Sequence, residues 1–115
     1  MSRKVGEYIT MSEDIVVVYC TVPEHLSRGM AKDAVTAGLC ACASMTPVVA
    51  VYQWEGRLCE DEEILLSMKT TAGGVDALME WILSVHPYEV PEILAVPVVR
   101  GSKLYCEWVV SMVEK

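Results

Sequence analysis

The chain has 115 residues, enough for one domain built around one core. Its net charge of −7, from 9 basic and 16 acidic residues, argues against a phosphate-backbone partner, so no nucleic-acid binding is expected. Hydrophobic residues make up 53% of the chain and the mean hydropathy is +0.35; a domain this small cannot bury so much apolar surface alone, which predicts a subunit interface.

The apolar runs Ile15 to Cys20 and Val48 to Tyr52 are far too short to cross a bilayer, so no membrane association is expected. The opening stretch MSRKVGEYITMSED lacks the apolar segment of a secretory signal, and a cytoplasmic location is expected. Five cysteines (Cys20, Cys40, Cys42, Cys59, Cys106) form no C-x-x-C pair and sit among apolar residues. They read as free thiols packed as small hydrophobes in a reducing compartment.

In chain order, residues 1–13 are polar and aperiodic and read as a flexible N-terminal arm ahead of a single domain spanning 14–115. Ile15 to Cys20, IVVVYC, is a β-branched run suited to a central strand. Thr21-Val22-Pro23-Glu24 reads as a helix start with a T-x-x-E capping box. Leu26, Met30, Ala34, Val35 and Gly38 then recur at helical spacing. A long strand follows, CACASMTPVVAVYQW, in which Pro47 permits a bend or bulge rather than a central ladder position. Glu55-Gly56 is a tight hairpin turn leading into a return strand, RLCEDEEILLSMKTT. Leu78, Trp81, Ile82 and Val85 mark a second helix, stopped by Pro87. The strap HPYEVPEI, stiffened by Pro87 and Pro91, leads into a fourth strand, ILAVPVV. Gly101-Ser102 then turns the chain into a last helix carrying Leu104, Tyr105, Trp108, Val109 and Met112.

The order β-α-β-β-α-β-α predicts an α+β fold. Its compact solution is a ferredoxin-like split β-α-β sandwich, a four-stranded antiparallel sheet with two helices on one face, followed by a C-terminal helix. The second and third strands are longer than such a sheet needs. They should project as an extended hairpin whose unpaired edges invite another subunit.

Taken together and in order, VVVYCTVPE, VYQWEGRLCEDEEILLSMKTT, HPYEVPEILAVPV and YCEWV resemble the CutA family of divalent-cation tolerance proteins, from about Val16 to Trp108. This chain departs from the family pattern in Cys42-Ala43-Ser44, where C-V-N is usual. It also departs in a Pro47 to Tyr52 segment about one residue short, with Ala50 in place of serine. The resemblance implies a PII-like homotrimer, a role in tolerance of copper and other divalent metals, and no enzymatic activity. It also implies that Cys20 and His86 occupy the positions linked to copper, and that Tyr52, Trp54 and Tyr88 line clefts between subunits.

Each site also has a plainer reading from the residues themselves. Cys20 ends a buried strand, and His86 precedes a proline at a helix end, so packing competes with ligation at both. As a pair they offer one soft thiolate and one imidazole. That combination predicts Cu²⁺ binding that is weak and poorly selected against Zn²⁺, with no obligatory cofactor. Their distance within one chain leaves a neighbouring subunit as the alternative source of the second ligand. Cys40 and Cys42 read as packing, and the run Glu60-Asp61-Glu62-Glu63 as a solvated or interface edge. Lys69, on an otherwise apolar strand, needs a partner if buried, and Glu89 or Glu92 of the strap would supply one.

Two functions are therefore carried forward. One is a trimeric metal-homeostasis protein using Cys20 and His86. The other is a PII-like regulatory module that takes a small ligand or a protein partner in inter-subunit clefts near Tyr52, Trp54, Lys69, Tyr88, Glu89 and Glu92. A hydrolase or transferase is disfavoured, because no G-x-S-x-G, P-loop or metalloprotease signature is present.

Overall fold

The computed structural model describes residues 8–10 and 15–113. Its elements are β1 (Tyr8–Thr10), β2 (Ile15–Val22), α1 (Glu24–Thr36), β3 (Cys42–Trp54), β4 (Arg57–Thr71), α2 (Val75–Val85), β5 (Ile93–Pro97), β6 (Arg100–Ser102) and α3 (Lys103–Val113). Strands β3-β4-β2-β5 form an antiparallel four-stranded sheet in that spatial order, and β1 pairs with β6 in a separate two-stranded ribbon. This is the expected split β-α-β arrangement with an added C-terminal helix. Within the predicted N-terminal arm, Tyr8–Thr10 form β1, while residues 1–7 and 11–13 lie outside the described residues.

The central position of β2 explains its composition. Val16, Val18, Cys20 and Val22 are buried on the face covered by helices, and Val17, Tyr19 and Thr21 alternate onto the other face. From β4 come Leu66 and Met68, and from α2 Leu78 and Ile82, to complete that core. A second cluster joins Ile15, Ala41, Cys106 and Val109, and fastens α3 beside the sheet.

Three local expectations change. The capping box does not form: Thr21 is paired with Leu65 inside β2, and Pro23 occupies the N-cap of α1 without a side-chain cap. The ladder has claimed Thr21, so the helix starts on the fixed φ of proline instead. The buried stripe of α1 is Ser27, Met30, Ala31 and Ala34, which leaves Val35 39% exposed. At Pro47 there is no bulge. The β3–β4 register runs unbroken through Pro47↔Ile64, because β3 is an edge strand and its missing N–H can face outward.

The hairpin turns as predicted. Glu55 (φ 52°) and Gly56 (φ 76°) are both left-handed between Trp54 and Arg57, which matches a type I′ turn and the twist of the strands. Downstream, the fourth strand ends at Pro97, and Gly101-Ser102 extend along β1 rather than turning.

The molecule measures 51 × 30 × 27 Å. The apolar excess is displayed rather than buried: Val49 is 61% and Leu58 74% exposed on the hairpin, and Leu94 and Leu104 are exposed elsewhere.

Candidate functional site

The strap from His86 to Glu92 runs from the end of α2 towards β5, and its first residue fixes its course. The His86 backbone N–H donates to the Ile82 carbonyl at 2.9 Å as the helix stops. The ring then reaches the end of β2, with Nε2 2.8 Å from the Thr21 carbonyl oxygen. A carbonyl can only accept, so Nε2 carries the proton. The free lone pair on Nδ1 accepts the Tyr88 N–H at 3.1 Å. One neutral tautomer therefore satisfies both contacts, and both ring nitrogens are committed.

The strap continues the chain of contacts outward. The rings of His86 and Tyr88 lie 4.8 Å apart, and the Tyr88 hydroxyl donates to Glu63 Oε2 at 3.0 Å. Glu63 is only 7% exposed. Burial foremost, and then the Glu63 carboxylate, push the Tyr88 phenol up to about 12. One step along the hairpin, the Tyr52 hydroxyl donates to Asp61 Oδ2, and that carboxylate raises the Tyr52 phenol to about 12.

Asp61 and Glu63 share a face of β4 because strand side chains alternate, while Glu60 and Glu62 take the other face. Together these groups wall an open cavity of about 410 Å³ between hairpin and strap. Tyr52, Trp54 and Tyr88 supply its aromatic surface, and Asp61, Glu63, Glu89 and Glu92 its carboxylates. Of the six residues expected at an inter-subunit cleft, five line this cavity within one chain.

Lys69 does not. It lies six positions along β4 from Glu63, about 20 Å at the rise of a strand. Its ammonium donates to Ser44 Oγ at 2.7 Å and to the Ser67 carbonyl at 3.1 Å, so the expected partners Glu89 and Glu92 are replaced by groups on its own side of the ladder. Glu63 is the residue that the sequence reading missed. The acidic run reads from sequence as a solvated or interface edge, and the period-two split puts Glu63 with Asp61 on one face without singling it out.

Cys20 and His86 both approach one backbone oxygen of their own chain. Cys20 Sγ lies 3.7 Å from the same Thr21 carbonyl that receives His86. Burial, followed by the nearby charges of Glu92 and Glu63, pushes the Cys20 thiol up to about 12, so it stays protonated at neutral pH. Among the described residues no group of three His, Cys, Asp or Glu side chains is placed to hold a metal ion. No described helix is long and apolar enough to cross a membrane.

Residues 16–112 match the model of the CutA1 divalent ion tolerance protein family. The chain is 42% identical over 94 residues to the divalent-cation tolerance protein CutA of Thermus thermophilus, covering 80% of this chain and 91% of that one. Its fold superposes on CutA from Synechococcus elongatus with a TM-score of 0.89 at 36% identity, over 93% of this chain and 96% of the other. The PII-like protein CutA from Nostoc is similar with a TM-score of 0.82 at 27% identity, over 85% and 96% of the two chains. The chain belongs to the CutA1 divalent ion tolerance protein family.

Proposed function

We propose that this chain acts as a homotrimer in divalent-cation tolerance, and that its principal binding site is the cleft between hairpin and strap, used in the manner of a PII-like regulatory module. One observation carries this reading: a buried carboxylate, Glu63, is held by a rigid strap at the wall of an open cavity large enough for a small molecule. The exposed apolar residues of the hairpin, with Val49 and Val51 on the edge strand β3, are the surface that a neighbouring subunit would cover.

Direct metal binding is the second reading, favoured by the approach of both Cys20 and His86 to the Thr21 carbonyl. It is a weak site in this account. A metal would have to displace a proton from a thiol that burial protects and break one of two hydrogen bonds to the imidazole. Copper tolerance would then depend on what the protein binds or signals more than on sequestration.

A thermal-shift panel of nucleotides, metabolites, Cu²⁺ and Zn²⁺, run beside sedimentation equilibrium at micromolar protein, tests the proposal. The expected result is a trimer stabilised by at least one small molecule in a manner that depends on Glu63. A stable monomer, or stabilisation by metals alone, contradicts it.

A further inference from the structure

We draw no further inference here: the strongest candidate, the half-buried Cys42 thiol at the entrance of β3 across the ladder from Lys69, is a lone cysteine, because Cys40 packs into the helix-covered core while Cys42 alternates with the core-packed Ala43 onto the opposite face of the sheet, and nothing among the described residues points to a ligand there.

Discussion

Replacing His86 by alanine separates a structural histidine from a metal ligand. The substitution leaves the Thr21 carbonyl without its 2.8 Å donor and the Tyr88 N–H without its 3.1 Å acceptor. Each lost hydrogen bond is worth about 1 kcal/mol, and loss of the ring packed against Tyr88 adds about 0.5–1.5 kcal/mol. The expected destabilisation is therefore about 3 kcal/mol per chain. Because Tyr88 carries the contact to Glu63, the strap should loosen over the cleft as well. Guanidinium unfolding at fixed chain concentration measures the loss, since the transition of the proposed trimer would depend on concentration. His86→Gln, whose amide can still donate towards Thr21, should recover part of it. A loss below about 0.5 kcal/mol in His86→Ala, on that same hydrogen-bond scale, would refute the anchoring role.

The cysteines give a second expectation: thiol titration of unfolded protein should return all five as free thiols. In the native state the half-buried Cys42 and Cys59 should react first, and the buried Cys20, Cys40 and Cys106 only as the fold opens. Alkaline pH gives a third. The folded values of Cys20 (about 12) and Cys40 (about 11) lie above the ordinary 9.0, so the fold favours the protonated thiols. Their contribution is fully present below pH 9 and should be lost as pH rises through 11 towards 12, visible as a falling unfolding midpoint; a flat midpoint over that range would count against their burial. At the hairpin tip, Glu55→Asn should be neutral or stabilising by up to about 1 kcal/mol, because asparagine tolerates the φ of 52° better; a clear loss in thermal unfolding would exclude the type I′ turn.

The features legible in the sequence are those set by local chemistry. Glu55-Gly56 defines a turn by itself, the β-branched run at Ile15 identifies a central strand, and two prolines define the strap. The features misread depend on partners distant in the chain. Thr21 resembles a helix cap until its ladder with Leu65 is known, and Lys69 seems to want a strap carboxylate until Ser44 is seen across the register. Glu63 reads as one more member of a solvated or interface edge because nothing in an acidic run tells which member a tyrosine 25 positions later will cover. The aromatics expected at inter-subunit clefts came from family resemblance rather than from pattern; within one chain Tyr52, Trp54 and Tyr88 line a common cavity.

The central claim is that ligand chemistry belongs to the cleft, and that the approach of Cys20 and His86 to the Thr21 carbonyl is first a structural joint and only secondarily a weak metal site. Calorimetric titration of Cu²⁺ and Zn²⁺ into the parent, Cys20→Ser and His86→Ala tests it most directly. The account predicts parent binding on the order of micromolar or weaker, with little preference between the two metals. Nanomolar, copper-selective binding that disappears in both variants would contradict it, and would make the pair the functional centre.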